Sequence, residues 1–245
     1  MPEPGILFII AAFFSEVLGT MAGFGSSTVF LPIALFFFDF RTALILVAIF
    51  HMSGNIGRVT FFRHGFNREL IIRFGIPSVI LTIIGAFLVS YVSQSVLKMI
   101  LGVFLLVYVV ISISRPDLSV KPTTENTLLG GSISGFFAGL IGTGGALRSS
   151  FLTSYNLEKS VYISTAAAIS LAVDISRIPV YFASGYLPQE YYYYIPVLFL
   201  VAIAGSFVGK RAVSRIPQKK FRTFVLICIG LVSLKFIYDG LIFIL

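Results

Sequence analysis

Arg148 is the only Asp, Glu, Lys or Arg between Asn126 and Leu157. A guanidinium set in so apolar a stretch requires either a carboxylate partner or an anionic ligand. Glu16 and Asp174 are the carboxylates that could pair with it. Asn55 with Arg58, and Asp174 with Arg177, stand three residues apart, a spacing that puts each pair on one helix face. Each pair reads as a polar lining, with Asp174 a candidate proton carrier, or as internal charge pairing; for Arg58 and Arg177 an internal salt bridge is the better reading. Glu16 is either a lining carboxylate or a partner for Arg148. His51 is a lone polar residue in an apolar stretch and reads as hydrogen-bonded structure before it reads as a titrating group. No HExxH, no P-loop and no His, Cys and carboxylate cluster at metal-ligand spacing occurs, so neither a metal nor a cofactor is expected, and a membrane enzyme is the remotest reading.

Two runs of small residues accompany these groups: Gly23-Phe24-Gly25-Ser26-Ser27 and Gly142-Thr143-Gly144-Gly145-Ala146. Each glycine costs a helix roughly 1 kcal/mol and permits a break. A broken helix inside a membrane is tolerated only where it is buried in protein or lines a wet cavity. The arm that restarts after a break presents free N–H groups and a positive dipole end, which favours an anion. The competing reading is close helix packing, and it is the stronger one for Gly131, Gly135 and Gly139 at four-residue spacing.

The elements that must hold these residues are membrane helices. The chain is 57% hydrophobic and 11% charged, and Phe74 to Leu97, Asn126 to Leu147 and Tyr191 to Gly209 carry no charge at all. A span needs about 20 such residues. Apolar segments are expected at 5–38, 42–62, 68–91, 95–114, 127–155, 160–183, 190–209 and 221–244; the first and fifth exceed one span and hold the two small-residue runs. The start of the chain has no Lys or Arg before Arg41, so it reads as a membrane segment and not as a signal peptide. The single Cys228 excludes a disulfide or thiolate metal site within one chain. The net charge of +8 sits in short loops, which argues for topology and against a nucleic-acid partner. Tyr191 to Tyr194 read as an interfacial belt.

A shift of 119 positions superimposes Gly23 on Gly142, Gly25 on Gly144, Asp39 on Glu158, Asn55 on Asp174, Arg58 on Arg177 and Pro77 on Pro196, which implies a duplication. The repeats are 1–120 and 121–245. Arg63 and Arg68 follow the second segment, whereas its counterpart at 184–190 has only Glu190; one loop later the bias reverses, with Lys98 alone set against Lys210, Arg211, Arg215, Lys219, Lys220 and Arg222. By the positive-inside rule the repeats are inverted and both termini are external. The expected fold is all-α, a polytopic transmembrane bundle in which each repeat is a broken or re-entrant hairpin plus three spanning helices. A tight pair of full spans would satisfy the same charges.

The motifs GFGSSTVFLP at 23–32 and GLIGTGGALRSSFL at 139–152 resemble those of the sulfite exporter TauE/SafE family, over nearly the whole chain. The resemblance implies a transporter, commonly an exporter, of sulfite, organosulfonates or related sulfur anions. Asn55 appears where the family has an asparagine after the first motif, and Asp174 takes its place in the second repeat. The first motif departs from the family in having Ser26 and Ser27 where glycine is usual. The resulting expectation is alternating access around a midplane site. Gly23, Gly25, Ser26, Ser27, Asn55, Gly142, Thr143, Gly144, Gly145 and Arg148 bind the anion there, and Glu16, Asp174 and Arg177 serve coupling or charge pairing. The partners are a small anion and the lipid of a cell inner membrane, and a second copy in a homodimer stays open. Proton-coupled uptake and a channel for another small anion stay open.

Overall fold

The computed structural model describes residues 5–22, 25–62, 65–115, 120–212 and 218–244. Among the described residues the long elements are all helices: α1 (Ile6–Ala22), α2 (Ser27–Ala34), α3 (Phe40–Phe61), α4 (Arg68–Leu88), α5 (Gln94–Ser114), α6 (Thr124–Ile141), α7 (Gly145–Leu152), α8 (Lys159–Ala183), α9 (Tyr194–Ala212) and α10 (Gln218–Ile244). The starts of α3, α4 and α6 follow polar caps. Asp39 accepts from Arg41 N and Thr42 N at 3.0 and 3.3 Å, Asn67 from Leu70 N at 3.0 Å, and Thr123 from Asn126 N at 3.2 Å. Each cap satisfies a backbone donor that the first turn leaves free. Phe40–Phe61, Arg68–Tyr91, Gln94–Ser114, Lys159–Ala183 and Gln189–Ala212 are long and apolar enough to cross a membrane. The chain is a multi-pass membrane bundle.

Both overlong segments break where the small residues stand, and both fold back as hairpins. Ser26 packs on Gly19 beside the first break, while the Phe8 ring near the start of α1 stacks on Phe30 and meets Phe38, each at 5.0 Å. In the second hairpin Gly144 lies against Ser134 and Gly130 against Phe151, and Thr127 is hydrogen-bonded to Tyr155. The return arms α2 and α7 have 8 residues each, about 12 Å of rise against a hydrocarbon core of about 30 Å. The alternative of paired full spans is therefore not the one adopted.

The packing exchanges partners between the halves. α4 lies along α6 as α9 lies along α1, α3 packs on α9 as α8 packs on α4, and α3 meets α8 while α5 meets α10. Close approach depends on α6, where a Cβ added to Gly131, Gly135 or Gly139 would stand 2.3, 2.1 and 2.1 Å from the carbonyl oxygens of Phe74, Ser78 and Thr82. Those α4 residues also donate across the seam, Ser78 Oγ to Gly131 O and Thr82 Oγ1 to Gly135 O, both at 2.9 Å. The packing reading of this glycine stripe therefore holds. Ile72, Ile76, Ile80 and Ile84 form an exposed apolar stripe on α4, whereas Glu16, Arg58, Arg148, Asp174 and Arg177 are buried. Apolar outside and charged inside is the distribution a bilayer selects.

Candidate functional site

The two breaks meet at the centre of the bundle. Gly25 has φ +88° and Gly142 φ +76°, a left-handed backbone that glycine adopts without a Cβ penalty. Gly23 lies outside the described residues. Thr28 Oγ1 and Thr143 Oγ1 are 2.8 Å apart, a hydrogen bond that joins the first hairpin to the second. Ser134 Oγ donates to Gly144 O at 2.8 Å and pins the second break to α6. Gly142 packs against Leu31 and Leu44, and Gly144 against the Ser134 carbonyl, so both shape the break. Gly145 opens α7, Ser27 opens α2, and both are buried.

Below the breaks the charged residues form two linked clusters. Arg58 donates to Glu16 Oε1 through Nη2 at 2.7 Å and Nε at 3.1 Å, with Ser206 Oγ adding a bond to the same oxygen at 2.6 Å and Thr20 Oγ1 another at 3.2 Å. Arg58 also reaches Ser26 Oγ at 3.1 Å and Asn55 Oδ1 at 2.8 Å. Asn55 Nδ2 in turn donates to Asp174 Oδ2 at 2.9 Å. Asp174 further accepts from Arg177 at 2.8 and 3.1 Å and faces His51 Nδ1 at 2.8 Å. Arg177 Nη1 and Tyr181 OH satisfy the carbonyls of Ala138 and Gly139 at the end of α6, where helical partners run out. Asn55 and Asp174, equivalent under the 119-residue shift, thus touch across the α3–α8 contact.

Arg148 stands apart. It is 5% exposed, yet its guanidinium has no hydrogen bond and no ion pair among the described residues. Glu16 is committed to Arg58, and Asp174 to Arg177. A small, partly open cavity lies beside it, with Thr20, Gly25, Arg58, Arg148, Tyr162 and Ser170 in its wall and Gly19 of α1 and apolar side chains of α8 completing it. Of the residues singled out in the sequence, Gly25, Arg58 and Arg148 line this cavity. Ser26, Asn55, Glu16, Asp174 and Arg177 belong to the adjoining network, and Ser27, Gly142, Thr143, Gly144 and Gly145 support the breaks.

Sequence reasoning assigned Arg58 to internal pairing; it makes that pair and also faces the cavity. Thr20, Tyr162 and Ser170 were missed. A hydroxyl on an apolar helix carries no signal of which face it occupies unless the neighbouring helices are placed.

Between two arginines, beside two broken helices and out of reach of any free carboxylate, the cavity suits a small oxyanion held by fork-shaped donors. Among curated proteins and solved structures none matches the chain. The family model for the sulfite exporter TauE/SafE matches residues 7–236, which takes in both hairpins, both clusters and every residue of the cavity wall. The chain belongs to the sulfite exporter TauE/SafE family.

Proposed function

We propose that this protein moves a small sulfur oxyanion or sulfonate, with sulfite the first candidate, by alternating access around the cavity beside Arg148. The observation that carries this reading is the buried guanidinium without a counter-ion. An unpaired buried charge is costly, and an anion arriving in the cavity removes that cost. Arg58, Arg148 and Arg177 against Glu16 and Asp174 leave one net positive charge at the site, which fits an anionic ligand. Gly25 and Ser26 at the head of α2, and Gly144 and Gly145 at the head of α7, add backbone donors and helix-dipole potential nearby.

In this reading residues 1–120 and 121–245 are inverted repeats with external termini. The matched order of α1–α5 and α6–α10 and the exchanged packing support it. The 62–67 connection is then cytoplasmic. Arg58 near the end of α3 and Tyr162 near the start of α8 put the cavity in the cytoplasmic half. Phe8, Phe30, Phe38, Tyr191 and Tyr194 fill the other half with packed rings, so the conformation is inward-facing. An inside-negative potential drives anion export by about 2.3 kcal/mol per charge per 100 mV.

The test is flux of labelled sulfite in proteoliposomes, with sulfate, thiosulfate and short sulfonates as competitors and Arg148→Ala beside the wild type. Saturable flux that the substitution abolishes is expected. Non-saturating flux would mean a channel, and no flux of any of these anions through folded protein would sink the substrate assignment.

A further inference from the structure

We infer that His51 is the proton-binding residue of this site: its free ring nitrogen takes up one proton when a doubly charged sulfur oxyanion enters beside Arg148. The inference rests on the transport reading above and names the coupled species.

His51 is buried on α3, and its two ring nitrogens have different surroundings. Nδ1 lies 2.8 Å from Asp174 Oδ2 and 3.2 Å from Asn55 Nδ2, an amide that also donates to the same Asp174 oxygen. Asp174 also accepts from Asn55 and twice from Arg177, which holds it as a carboxylate, so the proton of the short contact sits on Nδ1. Nε2 is buried and has no hydrogen-bond partner among the described residues. It is aimed at the first break: a Cβ placed on Gly25 would lie 3.1 Å from His51 Nε2 and 3.9 Å from Arg148 Nη2. The unpartnered nitrogen and the unpaired guanidinium therefore flank the same small space, at a residue that lines the cavity. A side chain on Gly25 would fill that space, and the left-handed backbone there keeps the position a glycine.

The surrounding charges set what the proton does. Asp174 and Arg177 face His51 from α8, Arg148 from α7 and Arg58 from its own helix; Glu16 on α1 is turned to Arg58, α2 brings no charged residue, and the charges of α5 and α9 are Lys98, Lys210 and Arg211 near their ends. With His51 neutral the site carries one net positive charge and suits a monoanion. With Nε2 protonated it carries two and suits a dianion, which gains an N–H donor where a bare lone pair would repel it. Sulfite exchanges its second proton near neutral pH, so the site can take a proton from either side of the membrane together with the anion. Glu16 also has an unpartnered oxygen, Oε2, but that atom lies against Gly54 on α3 while Oε1 is held by Arg58, Thr20 and Ser206. It faces packing and not the break.

The chain has only two histidines, His51 and His64, so the full-length protein labelled with ¹⁵N-histidine in bilayers gives two imidazole signals, which His64→Gln assigns. At about pH 8, where a free imidazole is neutral, added sulfite is expected to convert His51 from one protonated nitrogen to two. Methanesulfonate, a monoanion with no proton to exchange, is expected to bind without that change. His51→Gln is expected to bind sulfite about tenfold more weakly. Sulfite binding to the wild type with His51 still singly protonated overturns the inference, as does a His51→Gln variant that binds sulfite as tightly as the wild type. If that variant does not fold, the wild-type spectrum alone decides. Failure of every anion to bind the wild type overturns the transport reading and this inference with it, whereas binding without ring protonation overturns this inference alone.

Discussion

Replacing Arg148 by Met should make the protein more stable and unable to bind its anion. The side chain is buried, and no carboxylate of the described network is left for it. Exchanging buried ionic groups for apolar ones of similar size is commonly neutral or stabilising by about 1–4 kcal/mol; because Arg148 lines a cavity, the lower end, about 1 kcal/mol, is expected. Arg58 is also buried and also a cavity residue, but it donates to Glu16 at 2.7 and 3.1 Å, to Asn55 and to Ser26. Arg58→Met strips a buried carboxylate of its cation and should cost about 3–5 kcal/mol. The two substitutions, identical in chemistry, are thus predicted to differ by about 4–6 kcal/mol and in sign. For a chain of this size 1 kcal/mol is about 2–4 °C in midpoint, so the variants should unfold about 8–24 °C apart in detergent. Added sulfite at a hundredfold its dissociation constant stabilises a binding-competent protein by about 2.7 kcal/mol, and Arg148→Met should lose that increment. An Arg148→Met protein that is less stable than wild type, or that sulfite still stabilises fully, would show that the guanidinium is satisfied within the fold and refute the reasoning.

Gly135→Ala places a Cβ 2.1 Å from Ser78 O and should cost about 2 kcal/mol or more by prising α4 from α6. Gly185→Ala meets nothing within 4 Å at φ +71° and should cost only about 1 kcal/mol of backbone strain; comparable thermal midpoints for the two would contradict the packing account. In a double-mutant cycle of Thr28→Val and Thr143→Val, the bond between the hairpins should appear as a coupling of about 1 kcal/mol, and strict additivity would mean the two breaks do not depend on each other. In a Cys228→Ser background, Ser170→Cys should react with an impermeant thiol reagent from the cytoplasmic side only and be protected by sulfite, while Phe30→Cys should stay unreactive. Labelling of Phe30→Cys would place the closed half wrongly.

The helices and both breaks were legible in the sequence because a bilayer fixes span length and because glycine runs have a local cost that needs no tertiary context. The i, i+3 pairs Asn55–Arg58 and Asp174–Arg177 were legible for the same reason, and each is hydrogen-bonded within its helix. What could not be read was which carboxylate each arginine reaches across helices. Glu16 and Arg58 are 42 positions apart, and their pairing depends on α1 and α3 both meeting α9, where Ser206 closes the cluster and Gly205 makes room for the Glu16 stem. His51 read as structural because its contact to Asp174 is long-range; the informative fact, a ring nitrogen left free beside Gly25, exists only once α3 faces the first break.

In the proposed repeat, the 119-residue shift relates the two halves of the proposed site. Under that shift Arg58 and Arg177 agree, and each holds a carboxylate, so the repeated plan supplies a scaffold in which charge is already matched. The differences fall elsewhere. Val29 on α2 corresponds to Arg148 on α7, and Asn55 on α3 corresponds to Asp174 on α8. The first difference adds an unmatched cation on one side of the bundle only; the second adds the carboxylate that orients His51. If both halves carried asparagine, nothing would hold a proton on Nδ1 and leave Nε2 free toward Gly25. If both carried valine on the return arm, the cavity would have no charge beyond that of Arg58, which Glu16 already answers. In the proposed repeat the arginines common to both halves hold their carboxylates, and the groups proposed to act on the anion, Arg148 and His51 with Asp174, stand where the halves differ.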